Sequence, residues 1–192
     1  MKFNIAVIYG SVRTERQGIK GAKFIVNQLK QRNHQVTLID AKEANLPFLD
    51  KMYKEYDEGE APENIDKVGK QLAEADGFVI VSGEYNHSIP PALKNVLDHY
   101  QKEYYFKPSA IATYSAGSFG GARVSVHLRA ITAELGMSSI PSMFAMSAVQ
   151  KSFDEDGNAI EEAYNKRVTR FLDEFEWYLA ALKNQREQGT PY

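Results

Sequence analysis

Phe3-Asn4-Ile5-Ala6-Val7-Ile8-Tyr9 runs straight into Gly10-Ser11-Val12-Arg13-Thr14-Glu15-Arg16-Gln17-Gly18, and this junction decides the fold. The first segment is a short apolar run closed by a glycine, the pattern of a strand buried on both faces. Beyond Gly18 the period changes. Ile19, Ala22, Phe24, Ile25, Val26 and Leu29 recur at roughly helical spacing, which predicts a helix over Ile19–Arg32. His34–Asp40, with Val36, Leu38 and Ile39 inside it, then reads as a second strand. Strand, polar loop, helix and strand together make a parallel crossover unit.

The alternation continues along the chain. Asn45–Asn64 is an excursion with scattered aromatics and an acidic centre at Tyr56–Glu60, followed by a helix over Ile65–Ala75. Gly77–Ser82 is a fully apolar strand. Pro90-Pro91 opens a helix carrying Leu93, Val96, Leu97 and Tyr100, since a missing N–H costs nothing there. Ala110–Tyr114 is a fourth strand, and Ala122–Leu135 a helix on Val124, Val126, Leu128, Ile131 and Leu135. A weak fifth strand lies at Ser138–Ile140 or at Met143–Met146, Asp154–Gly157 is a turn, and Glu161–Gln185 is a long amphipathic helix. The expectation is one domain over 1–192, a three-layer α/β structure with helices on both faces of a parallel sheet. Five such strands favour the flavodoxin-like order 2-1-3-4-5.

Composition narrows the chemistry. With no cysteine in 192 residues, thiolate catalysis, cysteine-ligated zinc and iron–sulfur clusters are excluded together. A formal charge of -2 lacks the basic footprint of a nucleic-acid binder. No apolar run has the length of a membrane span, and the start of the chain does not read as a signal peptide, so a cytoplasmic protein is expected.

In an open parallel sheet, ligands bind beyond the carboxyl ends of the strands. Three loops lie there. Gly10–Gly18 ends at a helix N-terminus, where free N–H groups, the Ser11 hydroxyl and the guanidinium groups of Arg13 and Arg16 suit a phosphate. It matches neither Gly-x-Gly-x-x-Gly nor a Walker loop. Gly83–Pro90 clusters Glu84, Tyr85, Asn86 and His87. Such a loop suits a flat ring system, or else serves helix entry, with Ser88 or Asn86 capping; local pattern leaves both open. Ser115–Gly121 carries three glycines, which permit close approach of backbone N–H groups to a ligand or simply a flexible turn. His34, His87, His99 and His127 show no metal-ligand spacing, and a loop histidine such as His87 is more often a bystander than a proton donor. Phe171, Phe175, Trp177 and Tyr178 sit at helical spacing and read as core or a subunit contact.

These residues together resemble the NADPH-dependent FMN reductases, a branch of the flavodoxin-like superfamily. The resemblance rests on Gly10-Ser11-x-Arg13, on Glu84–Pro90 with Leu93-Lys94-Asn95 and Asp98, and on Ser115-x-Gly117-x-x-Gly120-Gly121-x-Arg123. Ala133–Met137 and Phe153–Gly157 extend it over nearly the whole chain. The resemblance implies that Ser11, Arg13, Arg16, Gln17 and Gly18 hold the FMN phosphate. It implies that Glu84, Tyr85, Asn86 and His87 flank the isoalloxazine, and that Ser115, Ala116 and Gly117, with Gly120 in the same loop, reach its pyrimidine side. Two features depart from the family: Gly83 stands where proline is usual, and the phosphate loop ends Glu15-Arg16-Gln17-Gly18 rather than in serine and asparagine. The implied activity is ping-pong hydride transfer from NADPH or NADH through FMN to free flavin, a quinone, an azo compound or a metal oxyanion. No side chain is required as nucleophile or general acid, and no metal is implied. A homodimer or homotetramer is implied too, with Arg123 and its helix at the contact. The rival readings are a flavodoxin-like electron carrier, a redox-sensing flavoprotein and a flavin-free nucleotide-binding module.

Overall fold

Five strands, all parallel, form the sheet in a computed structural model that describes residues Met1–Tyr192. They are β1 (Asn4–Tyr9), β2 (Gln35–Asp40), β3 (Gly77–Gly83), β4 (Pro108–Tyr114) and β5 (Ser138–Met146), in the order β2-β1-β3-β4-β5. The expected order and fold class are those found. Within each buried strand alternate residues still serve opposite faces. Ile5, Val7 and Tyr9 pack with Val79, Val81, Ala110 and Ala112 under α1 (Gly18–Gln31) and α7 (Glu162–Glu187). Ala6, Ile8, Phe78, Ile80 and Ile111 face the other way, under α3 (Glu63–Glu74), α4 (Pro91–Asp98) and α5 (Val124–Glu134). Two cores on one sheet are what right-handed crossovers produce.

Where sequence and structure differ, the reasons are local. The alternative positions for the fifth strand are two parts of one strand. Ser109 pairs with Ser139 but Ile111 pairs with Met143, so β5 carries extra residues around Pro141. Proline has no N–H for a ladder, and an edge strand tolerates it as an irregularity. Arg129 on α5 donates to the carbonyls of Ile140 and Pro141 that the bulge frees. Val126, expected on the inner face of α5, is 69% exposed, because it lies two residues from both Val124 and Leu128 and so points away from them. Phe171 and Phe175 are core, whereas Trp177 faces out. A short helix not expected from the sequence, α2 (Ala41–Ala44), follows β2, its first turn capped by Asp40 accepting from Lys42 N. The excursion after it is pinned. Asn95 holds Leu49 N and Pro47 O, and the Tyr53 hydroxyl donates to Asp66 at 2.9 Å. No helix is long and apolar enough to cross a membrane.

At the amino ends of the strands, Lys107 is buried and donates to Leu72 O and Ala73 O at the end of α3. Burial, and then the nearby Arg186, push its pKa down to about 8. A neutral amine keeps two donors, so both bonds survive deprotonation. Between about pH 8 and the ordinary lysine value the unfolded chain binds a proton that the folded chain does not, so stability rises with pH there. Above about pH 10 the buried tyrosines Tyr100, Tyr104 and Tyr114, held above their usual range by burial, reverse the trend. Denaturant unfolding is expected to show a gain of about 2 kcal/mol from pH 8 to 10 that Lys107→Met abolishes. An identical slope in both proteins would assign it elsewhere.

Candidate functional site

The carboxyl ends of β1, β3 and β4 deliver their loops to one cavity of about 440 Å³, within the usual size range of cofactor sites. The first loop contributes Ser11, Arg13, Glu15, Gln17 and Gly18. Ser11 is buried and shares a 3.1 Å hydrogen bond with the Tyr85 hydroxyl, which joins the first loop to the second. Gln17 precedes α1 without a side-chain cap, and no acidic residue sits in the first turn. Lys20 N turns back to Gln17 O at 3.2 Å, which leaves the N–H groups of Gly18 and Ile19 free at the positive end of the helix dipole.

Gly83, Glu84 and Tyr85 form the second wall. Beyond it Tyr85 and Ser88 exchange backbone bonds at 2.9 and 3.0 Å around Asn86 and His87, whose φ values are 50° and 66°. Two central residues at positive φ define a tight primed turn, and its tip is exposed. Neither Asn86 nor Ser88 caps α4; Pro90 occupies that position and Ser88 bonds His127 instead. Gly83 is a buried strand residue paired with Tyr114, and a Cβ there would stand 3.0 Å from the Tyr114 ring. Its glycine serves packing rather than loop freedom. Glu84 Oε1 accepts from Arg123 at 3.3 Å, while Glu84 Oε2 is buried with no partner.

Ser115 and Ala116 close a third side, with Tyr114 as part of the lining. The remaining residues come from α6 (Val149–Ser152), which follows β5: Val149 and Gln150. Gln150 Nε2 donates to Ala116 O at 3.3 Å, and its Oε1 is buried without a partner.

Of the residues singled out in the sequence, the structure brings Ser11, Arg13, Gln17, Gly18, Glu84, Tyr85, Ser115 and Ala116 to the cavity. Arg16 it turns away. The Arg16 Nη1 lies 2.5 Å from Asp40 Oδ1 and 3.0 Å from Ser11 O, with the guanidinium over the Tyr9 ring. Its charge is committed to Asp40, and it braces the loop from behind. Asn86 and His87 sit at the exposed turn, and Gly117 and Gly120 are outside the lining. Gly120 is buried, its carbonyl accepting from Thr113 Oγ1 at 2.7 Å. Glu15, Gly83, Tyr114, Val149 and Gln150 also line it, and the sequence names none of them as a ligand contact. Tyr114 reads in the sequence only as the end of an apolar strand, and α6 is too short to show a period. A larger concavity of about 520 Å³ lies beside edge strand β2, lined by Asp40, Glu43, Glu63 and Lys67 among others, and touches none of the three loops. No cluster of metal-ligating side chains exists.

These features fit FMN. A phosphate dianion suits the uncapped α1 N-terminus with Ser11 and Arg13. Orphaned buried acceptors suit a ligand bearing N–H and O–H donors, and the volume admits a tricyclic ring with a polyol tail.

Known proteins agree. The pattern of the NADPH-dependent FMN reductase family matches residues 3–151. A 2-hydroxy-1,4-benzoquinone reductase from a Burkholderia species is 30% identical over 97% of this chain and all of its own. A quinone reductase of Escherichia coli strain K12 is 32% identical over 73% of this chain and 77% of its own. Among solved structures, the flavoenzyme NAD(P)H:(acceptor) oxidoreductase FerB from Paracoccus denitrificans superposes with a TM-score of 0.74 at 22% identity, covering 93% of this chain and 98% of its own. The chain thus belongs to the NADPH-dependent FMN reductase family and is an NAD(P)H-dependent flavoprotein reductase that uses FMN.

Proposed function

We propose that the protein passes electrons from NADPH or NADH to a small quinone in two half-reactions at the one cavity. The observation that supports this most is the set of groups around it: backbone N–H donors, one arginine, tyrosines and two orphaned acceptors, but no residue placed as nucleophile or metal ligand. Such a lining binds and orients rather than reacts. FMN, when bound, would accept hydride from the nicotinamide nucleotide and hand electrons to the acceptor.

The residues then divide the work. Ser11, Arg13, Gln17 and the N–H groups opening α1 hold the phosphate. Tyr85, fixed by its bond to Ser11, would lie along the ring system. The Ser115 N–H is spent on Met146 O and its hydroxyl on Gly117 O, so the Ala116 N–H is the backbone donor that would meet the polar edge of the ring and stabilise the charge that gathers there on reduction. A quinone fits because the second substrate needs only a flat face and polar ends, and relatives named quinone reductases favour it. Free flavin, azo compounds and metal oxyanions are the competing acceptors.

Assembly into a homo-oligomer and work in the cytoplasm belong to the same reading. Phe119 and Val126, 68% and 69% exposed, lie beside Arg123 where α5 begins and supply an apolar contact near the site. Steady-state rates with NADPH and benzoquinone varied together are expected to give parallel double-reciprocal lines. Reduction of bound FMN by NADPH without any turnover of benzoquinone would leave the flavoenzyme but reject the acceptor.

A further inference from the structure

Two acceptors on residues that line the cavity have nothing to accept from. Glu84 Oε2 and Gln150 Oε1 are both buried and unpartnered, on separate elements of the same lining. Each is oriented from behind. Arg123 engages the other Glu84 oxygen at 3.3 Å, and the Gln150 amide nitrogen is spent on Ala116 O. A buried acceptor left unsatisfied costs about 1–3 kcal/mol, more when charged, so a ligand that brings donors to both relieves a standing cost. A phosphate dianion offers acceptors only and cannot do this. The donors must lie on the ring or its polyol tail.

Oxidised flavin has one ring N–H, that of the imide, and a ribityl chain of hydroxyls. Resting on the FMN reading, we propose that Glu84 accepts from the imide N–H and Gln150 from a ribityl hydroxyl, with Arg123 a positioning residue that keeps the free Glu84 oxygen turned inward. The chemistry makes Glu84 sensitive to a change as small as carboxylate to amide. Arg123 has only donors, so in Glu84→Gln it claims the amide oxygen and leaves the NH₂ facing the cavity. There two donors meet, and an attraction becomes a repulsion.

The test is fluorescence titration of the apoprotein with FMN and with its N3-methyl analogue, which lacks the imide donor. The wild type is expected to prefer FMN by about tenfold or more, the size of one charge-assisted hydrogen bond. Glu84→Gln is expected to weaken FMN to roughly the affinity of the analogue, erasing the preference. A preference that persists undiminished in Glu84→Gln would mean that the methyl group is excluded by shape, and equal binding of both flavins by the wild type would remove the imide contact; either result overturns the assignment while FMN binding itself stands. Gln150→Met is expected to weaken both flavins alike, severalfold, because the analogue keeps its ribityl chain; unaltered affinity takes Gln150 out of the proposal. A wild-type protein that takes up neither flavin would overturn the FMN reading and this one with it. The wild-type comparison needs no variant to fold.

Discussion

Gly18→Ala is expected to damage cofactor binding more than the fold. A Cβ at this position would stand 2.1 Å from Tyr114 Cζ and 2.6 Å from its hydroxyl oxygen. The ring has little room to retreat: Tyr9 lies 6.0 Å away on one side, centroid to centroid, and Gly83 backs it on another. The open side is the cavity that Tyr114 lines. The added methyl therefore tips the ring into the space a cofactor needs. Overpacking of this kind costs about 1–3 kcal/mol, read as FMN affinity reduced about tenfold or more and a melting temperature lowered by several degrees. Titration of apoprotein with FMN, beside a thermal melt, separates the two losses. An unchanged dissociation constant would place the cofactor away from the Tyr114 floor.

Arg16 and Arg13 are expected to fail in opposite ways. Arg16 and Asp40 side chains are 13% and 7% exposed, so removing the guanidinium strands a buried carboxylate. Breaking such a pair costs about 3–5 kcal/mol, and Arg16→Ala is expected to lower the melting temperature by about 6–20 °C for a domain of this size. Arg13 is exposed and lines the cavity. Arg13→Ala is expected to leave the melt unchanged and to weaken FMN by about 1–3 kcal/mol through loss of a charge-assisted bond. The reverse pattern, with Arg16→Ala melting normally but losing FMN, would restore Arg16 to the phosphate.

That contrast shows how far the sequence could be read. β1, β3 and β4 were legible because each is an unbroken apolar run with a glycine or proline near its end, and only burial on both faces favours that composition. The three loops were legible because strand ends of a parallel sheet share one edge. Which arginine lines the cavity was not, since the partner that withdraws Arg16 is Asp40, at the end of another strand. Gln150 stayed hidden for a similar reason: it reaches the site on α6 just after β5, whose bulge at Pro141 blurs the pattern that would have located it. Tyr114 is the opposite case, a visible residue whose apolar neighbours concealed a role in the cavity floor.

The proposed activity requires a flavin held by these loops and reduced by a nicotinamide nucleotide. The direct measurement is the visible spectrum of the purified protein after incubation with FMN and removal of the excess, recorded anaerobically before and after NADPH. The expected result is the two-banded absorbance of bound oxidised flavin, bleached by NADPH alone and restored by benzoquinone. A protein that retains no flavin, or whose bound flavin stays oxidised in excess NADPH and NADH, would contradict it.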